Sequence, residues 1–407
     1  MNSVKEFMNR NIRQYGMIIA LVIIMIFFVV MTGGKLIWPR NVQMLVRQNA
    51  YVLILAIGMM FCILTGGNID LSAGSLVALV SAMSGLMSTT LGLPTWLAII
   101  ISLITGLLAG VWQAFWIAFV RVPPFIATLS GMLVFRGINN IILNGQTLPL
   151  SGLYVTIGTG SVPDIAPNTI PDFLYIGDLL QLQNKPEFLN TTMLIVGLVS
   201  SIAYVLVTIF NRKSKKARGY EVASIKSVII KVAAFFIAIN VFSYWLAMDE
   251  GLPIMLILLV ALYAIYTFIA TKTIPGRHIY AMGGNKKAAE LSGVNTKKLM
   301  FLVYSNMGLL AGVAGIVTAG RMMASSPNVG ANFEMDAIGS CFIGGASAYG
   351  GVGTIWGAVV GAFIMGVMNN GMSIMGMNVF LQSIAKGLVV LFAVAFDMYS
   401  KSKSRLG

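Results

Sequence analysis

Acidic residues stand at interruptions of apolar sequence, where charges are rare. Asp70 lies in GGNIDLSAGS (66–75) between two long apolar runs, and Glu334 and Asp336 begin a later run. A carboxylate at membrane depth costs roughly 2.5–3.5 kcal/mol on insertion scales, so it needs a partner or a wet cavity. Lys386 falls inside the last apolar run by periodicity, and any of these three carboxylates could be its partner.

The residues around Asp70 suggest how its charge is accommodated. Asp70, Leu71 and Ser72 form a typical N-cap stretch, and free amides at a helix start can donate hydrogen bonds to a carboxylate. Neighbouring glycines allow a tight reversal and close helix contact. The sequence leaves three roles open for Asp70: it fixes a helix break, contacts a solute, or forms an ion pair that switches during opening. The candidate helix-break and gating residues are Gly66, Gly67, Asp70, Ser72, Gly74, Glu334 and Asp336.

The composition predicts the elements that hold these residues. Of the 407 residues, 57% are hydrophobic and 10% are charged, whereas a soluble domain carries about a quarter charged residues. Apolar windows recur along the whole length, and a bilayer core about 30 Å thick needs roughly 20 such residues per helix. The predicted fold class is therefore an all-α polytopic membrane protein with about 10–12 transmembrane helices, an internal inverted repeat and broken helices. Continuous rather than alternating apolar runs exclude a β-barrel, and we expect no cleavable signal in the first run.

Basic residues predict the orientation of the helices. The candidate spans are about 17–32, 51–66, 73–91, 95–120, 124–143, 193–211, 226–247, 252–271, 299–320, 336–352, 354–372 and 379–397. With twelve spans, the basic N-terminus, the loops 211–226 and 272–298, and the basic tail all fall on the cytoplasmic side. The loop 145–192 falls outside, with four acidic residues against one lysine. The net charge of +14 therefore reflects topology rather than nucleic-acid binding.

An internal repeat pairs residues 107–135 with residues 363–391 at a constant offset, so that Gly110 matches Gly366. Upstream, NIDLSAGS (68–75) roughly matches FEMDAIGS (333–340). In the predicted topology the halves, about 50–145 and 299–397, run in opposite directions, as in transporters whose pathway lies at a repeat interface. The candidate pathway residues near this interface are Trp112, Phe115, Phe125 and Phe135.

A polar segment follows the eighth span. The sequence GRHIYAMGGNKKAAELSGVNTKKLMF (276–301) is too polar to cross a membrane. AMGGN opens a short helix near residues 286–291, and GVN closes it with Gly293 as the C-cap. Exposed Ala and Leu on a small cytosolic helix suit insertion into a groove of another protein. The same residues equally allow an ordinary surface helix that lies on the membrane.

Signatures of enzymes do not occur in the sequence. It has no GxxxxGK[ST], GxSxG or HExxH pattern and no Cys/His cluster, so it cannot bind ATP by a P-loop. We therefore predict no catalytic residue, no metal site and no cofactor, and a transporter subunit rather than an enzyme.

Four ordered blocks resemble a known family: GGNIDLSAGS, TLSGMLVFRGI, GRHIYAMGGNKKAAELSGVNTKK and EMDAIGSCFIGGASAYGGVGTIWGAVVGA. Together they are similar to permease subunits of bacterial sugar importers of the ATP-binding-cassette (ABC) class, in the ribose, galactose and xylose group. The greater length, with extra apolar segments within 193–271, is most like xylose-type or multiple-monosaccharide permeases. The whole chain, 1–407, is then expected to be one transmembrane permease domain in the cell membrane, with both termini cytoplasmic.

The resemblance implies partners as well as a fold. It implies a second permease chain, normally an identical one, two cytosolic ABC ATPase subunits and an extracytoplasmic sugar-binding protein, besides the membrane lipid. It also implies that the helix in the cytosolic loop 272–298 is a coupling helix seated in an ATPase groove. The coupling residues would be Gly283, Gly284, Asn285, Lys287, Ala288, Ala289, Glu290, Leu291 and Gly293.

The expected function is ATP-driven alternating-access import of a monosaccharide such as xylose, delivered by the binding protein. Within this importer class a nucleoside, a branched-chain amino acid or a furanose stays open as the substrate. An ion-coupled secondary transporter would place ionisable residues in mid-helix, whereas the acids here stand at helix breaks. A receptor or structural membrane protein would not need an inverted repeat.

Overall fold

The computed structural model describes residues 2–166, 189–220, 222 and 224–405. Part of the predicted outer loop, residues 167–188, lies outside them. In the described chain the α-helices are α1 Asn2–Met31, α2 Pro39–Leu64, α3 Ala73–Gly85, α4 Thr95–Phe115, α5 Pro124–Leu143, α6 Leu153–Thr159, α7 Thr191–Ala217, α8 Ile225–Ala247, α9 Ile254–Lys272, α10 Ile274–Gly284, α11 Lys286–Leu291, α12 Thr296–Met322, α13 Phe333–Ile343, α14 Ile355–Ile374 and α15 Val379–Arg405. Two short strands, β1 Leu148–Pro149 and β2 Ala324–Ser325, pair antiparallel.

The predicted fold class, an all-α polytopic membrane protein, is confirmed. In the described chain, nine helices are long and apolar enough to cross a bilayer, and Gly16–Met31 and Val379–Ala395 are shorter apolar helices. Every predicted span coincides with a helix, but the tenth predicted span, 336–352, extends beyond the helix found there. Only α13, of 11 residues, lies there, because Gly345, Gly350 and Gly351 have positive φ and leave the helix.

The described chain divides into two compact units. The larger unit comprises Met1–Leu36, Leu45–Gly160 and Met255–Gly407, and the smaller comprises Ile37–Met44 and Ser161–Ile254. The additional segment predicted at 193–271 is thus divided between them: α7 and α8 belong to the smaller unit, and nearly all of α9 belongs to the larger.

Small residues allow the helices of the larger unit to approach closely. Helix α12 packs along α4 and α3, and Gly110 on α4 faces Gly308 on α12. A Cβ added at Gly308 would lie 2.5 Å from the Cα of Gly110. In lipid, close backbone packing of this kind replaces the hydrophobic driving force between helices.

Matched residues of the repeat occupy matched packing positions. Gly110 packs against α12, whereas its counterpart Gly366 on α14 packs against Asn49 on α2. A Cβ added at Gly366 would lie 2.9 Å from the Asn49 Cγ. Helices α12 and α2 are themselves the paired first helices of the two halves. In the same way α3 packs on α4 and α5, and α13 packs on α14 and α15. These contacts support the repeat, and its inverted orientation stays a prediction.

Helix α6 lies within the segment that was predicted as an outer loop. It packs on α12 through two glycines, because a Cβ at Gly158 would lie 2.1 Å from the carbonyl carbon of Gly320. Its seven residues carry too few apolar positions to be read as a helix from periodicity alone.

The smaller unit contains a hairpin of α7 and α8. Ser243 packs directly against Gly197, since a Cβ added at Gly197 would lie 2.3 Å from the Ser243 Oγ. The Asn240 Nδ2 donates a hydrogen bond to the Ser201 Oγ at 3.0 Å. One turn further, the rings of Tyr204 and Phe235 lie 4.1 Å apart. The outward faces of both helices are exposed and apolar, as expected of helices in contact with lipid.

Asp164 caps the first turn of α7. Its carboxylate accepts hydrogen bonds from the backbone N–H groups of Thr191 at 3.1 Å and Thr192 at 3.0 Å. Burial acts to raise the pKa of Asp164, but the hydrogen bonds from Thr192 and Thr191 outweigh it and hold this pKa below its ordinary value. The ionised carboxylate therefore stabilises the start of α7.

This cap predicts a local pH dependence. A depressed folded-state pKa contributes stability above the unfolded value of about 4 and loses it as the pH falls through the folded-state pKa. We expect Asp164→Ala to speed amide exchange of Thr191 and Thr192 about fivefold at neutral pH, because a lost cap costs about 1 kcal/mol. The measurement is hydrogen–deuterium exchange from pH 3 to 7. A variant with unchanged exchange would contradict the capping role.

Candidate translocation and coupling site

Asp70 is buried at the break between α2 and α3. Its Oδ1 accepts hydrogen bonds from the Ser72 backbone N–H at 2.8 Å and the Ser72 hydroxyl at 2.6 Å. The same hydroxyl lies 2.7 Å from the Gln113 Oε1 on α4, and its single proton can be donated to only one of these acceptors at a time. Within the described residues, Oδ2 of Asp70 is buried without a hydrogen-bond partner. A free backbone amide thus donates to the Asp70 carboxylate, but the N-cap residue of α3 is Ser72, whose side chain makes no capping hydrogen bond.

The Gly-rich segment after α2 touches the Gly-rich segment between α13 and α14. Gly66 and Gly67 have φ of 131° and 75°, which a residue with a Cβ adopts only under strain. A Cβ at Gly67 would lie 1.9 Å from the Ala348 carbonyl oxygen, and one at Gly350 would lie 2.4 Å from the Gly66 Cα. The two segments, here called the paired breaks and comprising 65–72 and 344–354, thus pack backbone to backbone.

The end of α10 packs against both of the paired breaks. A Cβ at Gly283 would lie 1.8 Å from the Leu64 carbonyl oxygen and 2.5 Å from the Gly351 nitrogen. The Gly351 N–H in turn donates to the Leu64 carbonyl at 3.1 Å. Helix α10 leads directly into α11, so α11 lies one short helix away from the end of α2 and the loop between α13 and α14.

The N-terminal ends of α3 and α13 also meet. A Cβ at Gly74 would lie 2.2 Å from the Glu334 Oε2 and 2.3 Å from the Gly330 carbonyl oxygen. The loop before α13 is held by Arg136, whose Nη1 donates to the Val329 carbonyl at 2.7 Å. The predicted break residues Gly74 and Glu334 are therefore in direct contact across the two halves of the repeat.

Asp336 forms an ion pair with Lys386 in the larger unit. The Lys386 Nζ lies 3.0 Å from its Oδ1, the Tyr51 hydroxyl donates to its Oδ2 at 2.7 Å, and the Asn369 Nδ2 lies 3.4 Å from the same oxygen. Tyr51 also stacks on Phe333, with ring centroids 3.6 Å apart. Of the three carboxylates proposed as partners of Lys386, the structure selects Asp336. The pair joins α2, α13, α14 and α15.

The sequence analysis did not identify two amide side chains, Gln113 and Asn369, that lie near Asp70 and Asp336. The internal repeat nevertheless pairs these two residues. The offset that matches Gly110 with Gly366 also matches Gln113 with Asn369. Gln113 reaches Asp70 through Ser72, and Asn369 reaches Asp336 directly. Each half of the repeat therefore sets an amide side chain beside the acid of its own broken helix.

Helix α11 has the predicted bounds, but its C-cap is Ser292 and the predicted Gly293 is the residue after it. Its N-cap is Asn285, whose side chain accepts from the Ala288 N–H at 3.0 Å, and Gly293 follows with φ of 85°. Ala289 is buried as part of the main hydrophobic cluster, whereas Leu291 is 90% exposed. Glu290 is engaged within the loop, because its Oε1 accepts from the Thr296 hydroxyl at 2.7 Å. Leu291 is thus the apolar side chain that α11 presents outward.

A cleft of about 750 Å³ lies between the break after α2, the end of α4 and the α10–α12 segment. Arg121, Lys286, Lys287 and Lys297 line it, with Glu290 the acidic residue among its described lining. Gly66 and Gly283 line the same cleft. The paired breaks are therefore accessible from the side on which α11 lies, through a polar and basic opening.

The four aromatic residues proposed for the pathway divide into two groups. Trp112, Phe115 and Phe125 are exposed on α4 and α5, whereas Phe135 is buried. Trp112 contacts Phe135 edge to face at 5.7 Å. No contact joins these residues to the paired breaks among the described interactions, so their role in the pathway stays a prediction.

The fold and the site define a polytopic α-helical membrane protein whose paired breaks pack against a polar segment that contains α10 and α11. The family model described as branched-chain amino acid transport system / permease component matches residues 41–168 and 174–394. The chain belongs to this family.

Among similar proteins, the xylose transport system permease protein of Haemophilus influenzae is 37% identical over 394 residues, covering 97% of this chain and 98% of that protein. The xylose transport system permease protein of Escherichia coli is 38% identical, with 97% and 94% covered. The ribose import permease protein of Bacillus subtilis is 32% identical, with 92% and 89% covered. No solved structure matches the chain.

Proposed function

We propose that this chain is the membrane-spanning permease subunit of an ABC importer for a monosaccharide, xylose or a similar aldose. The observation that carries the proposal is the 37–38% identity to xylose transport permeases over 97% of the chain. Nine described helices that can cross a bilayer support a multi-pass protein of the cell membrane. The distribution of basic residues supports a cytoplasmic location for both termini.

The proposed complex contains partners that supply energy and substrate. Two permease chains form the pore, two cytosolic ATPase subunits drive it, and an extracytoplasmic binding protein delivers the sugar. The sequence has no P-loop, so ATP hydrolysis belongs to the partner subunits.

The contact at Gly283 supplies the mechanical step of the proposed mechanism. Closure of the ATPase dimer moves α11, and α10 transmits the displacement to the paired breaks because it packs on their backbone. Glycines at the breaks tolerate the changes of φ and ψ that such a movement needs. The ends of α3 and α13, which meet at Gly74 and Glu334, then separate or close and expose the pathway to one side at a time.

Reconstitution tests the proposal. The chain is placed in vesicles with its cassette ATPase and binding protein, and uptake of labelled xylose, ribose and galactose is measured with and without ATP. We expect ATP-dependent uptake that requires all three components, with xylose preferred. Accumulation of solute by the chain alone, driven only by an ion gradient, would contradict the proposal.

A branched-chain amino acid is a second candidate substrate, and the description of the matching family favours it. The same vesicles distinguish the two candidates, because labelled xylose and labelled leucine can be offered to them separately. Binding-protein-dependent leucine uptake without xylose uptake would replace the sugar by the amino acid while keeping the importer class.

The exposed side chain of Leu291 allows the proposed coupling role of α11 to be tested by substitution. We expect Leu291→Glu to lower ATP-dependent uptake about tenfold or more, since a charge replaces an apolar side chain that enters a partner groove. Uptake and ATPase activity of the complex are both measured. The ATPase activity should become independent of the binding protein.

The matched control for this variant is Lys298→Glu, which changes an exposed side chain of the same loop outside α11. Full coupling in the Leu291→Glu complex would exclude α11 as the ATPase contact.

A further inference from the structure

The hydrogen-bond chain at the break between α2 and α3 contains more oxygen contacts than its hydroxyl can satisfy. The Ser72 Oγ lies 2.6 Å from the Asp70 Oδ1 and 2.7 Å from the Gln113 Oε1. Both distances are those of O–H···O hydrogen bonds, so the two contacts need two protons, and the Ser72 hydroxyl supplies one. We propose that Asp70 binds the second proton. Its neutral carboxyl group then donates from Oδ1 to Ser72, and Ser72 donates to Gln113.

The other oxygen of Asp70 agrees with a neutral acid. Asp70 is 1% exposed, and among the described residues no donor reaches its Oδ2. In an ionised carboxylate this oxygen would be a buried, charged acceptor without a hydrogen bond, which is costly. In the neutral acid Oδ2 is a carbonyl oxygen, for which the same lack of a donor costs less. The protonated Oδ1 keeps a lone pair for the Ser72 backbone N–H at 2.8 Å.

The two halves of the repeat differ in the charge that they set beside the acid. In the second half, the Lys386 Nζ lies 3.0 Å from the Asp336 Oδ1. The repeat offset places Ser130, a neutral and exposed residue, where the second half has Lys386. A buried carboxylate is stable in the ionised form when a cation pairs with it, and otherwise it takes up a proton. The proton on Asp70 therefore does in the first half what Lys386 does in the second.

The ionisable side chains that face Asp70 in the described structure are not cations. Asp70 interacts electrostatically with the Cys62 thiol of α2, the Tyr304 hydroxyl of α12 and the Glu334 carboxyl group of α13. A second acid disfavours a negative charge on Asp70. The cation on α5, Arg136, interacts with Glu334 and donates to backbone carbonyls of the loop before α13.

Opening of the break removes the conditions that hold the proton. Asn68 lines the basic cleft together with Arg121 and Lys286, whereas Asp70, two residues further along the chain, does not line it. A movement that connects Asp70 with the cleft brings water and cations to the carboxyl group, and both favour its ionised form. The proton then passes to water, and the tie between the break and α4 weakens. This step rests on the proposed function, whereas the bound proton does not.

Unfolding equilibria at several pH values test the bound proton. The unmodified chain and the Asp70→Asn variant are unfolded in the same detergent between pH 5 and pH 7. An exposed aspartate ionises near about pH 4, so the unmodified chain would release one proton on unfolding that the variant does not carry. The unfolding constant of the unmodified chain, divided by that of the variant, should therefore rise about tenfold per pH unit.

A ratio that does not change with pH would overturn the proposal. It is the result expected if Asp70 is ionised and the Gln113 amide is turned so that its Nε2 faces Ser72. The matched control is Asp336→Asn, which changes the equally buried acid of the other half. Its ratio should be independent of pH, because Asp336 is ionised in the folded and the unfolded chain. An equal slope in this control would also contradict a proton bound at Asp70.

Infrared spectroscopy tests the same proton if Asp70→Asn does not fold. At neutral pH the unmodified protein should show the C=O stretch of a protonated carboxyl group. Ser72→Ala should move this band to higher wavenumber, because the acid loses the acceptor of its O–H. The absence of such a band, or a band that Ser72→Ala leaves in place, would overturn the proposal. Both measurements use the purified chain alone, so a failure of the import function would leave their result unchanged.

Discussion

The Gly283→Ala variant is expected to insert into the membrane and to lose ATP-dependent uptake by about tenfold or more. The added methyl would lie 1.8 Å from the Leu64 carbonyl oxygen and 2.5 Å from the Gly351 nitrogen. Both are backbone atoms, so α10 has to shift away from the paired breaks, and overpacking of this kind typically costs 1–3 kcal/mol. The shift separates α11 from the elements it is proposed to move. Uptake, ATPase activity and membrane level are measured on the same preparation.

A glycine in open surroundings provides the control for this substitution. Gly137 lies within α5, and no atom lies within 4 Å of a Cβ added there, so Gly137→Ala should leave uptake unchanged and favour the helix slightly. If Gly283→Ala supported normal uptake, force would not pass through this contact. If the variant failed to reach the membrane, a Gly351→Ala variant would perturb the same interface from the opposite side, through an added Cβ 2.7 Å from the Gly284 nitrogen and through backbone strain at its φ of 69°.

The sequence predicts those parts of the fold that depend on local composition. Long apolar runs determine where α4 and α14 lie, because a membrane span needs only length and hydropathy. The bounds of α11 follow from Asn285, which caps its start, and from Gly293, which adopts a positive φ just after its C-cap, and both act within one turn. These features need no knowledge of distant contacts.

Features that depend on packing between distant segments were not predicted. The tenth span appeared continuous because residues 344–352 are apolar or small, but Gly344 approaches Gly357 so closely that an added Cβ would lie 2.1 Å from its carbonyl oxygen. The partner of Lys386 could not be chosen among three acids, since the choice depends on where α13 and α15 meet. Apart from the glycine itself, nothing in the sequence indicates that Gly283 contacts Leu64 and Gly351.

The repeat offered more information than single residues did. The match of Gly110 with Gly366 indicates that another helix packs closely at both positions. Gly110 packs against α12 and Gly366 packs against α2, the equivalent helix of the other half. The same offset identifies Gln113 and Asn369 as partners of the buried acids. A pairwise comparison of the halves at polar positions would therefore have found two residues that hydropathy and motif patterns leave unmarked.

Loss of Lys386 is expected to destabilise the permease strongly, whereas loss of both members of its ion pair is not. Asp336 is 1% exposed, and the Lys386→Met variant leaves its charge with only the hydrogen bonds of Tyr51 and Asn369. Breaking one partner of a buried pair typically costs roughly 3–5 kcal/mol, and replacing both by neutral groups is often close to neutral. The Asp336→Asn, Lys386→Met double variant should therefore recover most of the unfolding free energy lost by Lys386→Met.

A double-mutant cycle separates stability from transport in these variants. Unfolding free energies of both single variants and the double variant are measured in the same detergent, and a coupling energy above about 1 kcal/mol indicates a direct interaction. If the pair only holds α13 against α15, uptake per folded molecule in the double variant should equal that of the unmodified protein. If it breaks and re-forms as the half-helices move, the double variant should be stable and yet transport slowly. Additive effects of the two substitutions would contradict the ion pair itself.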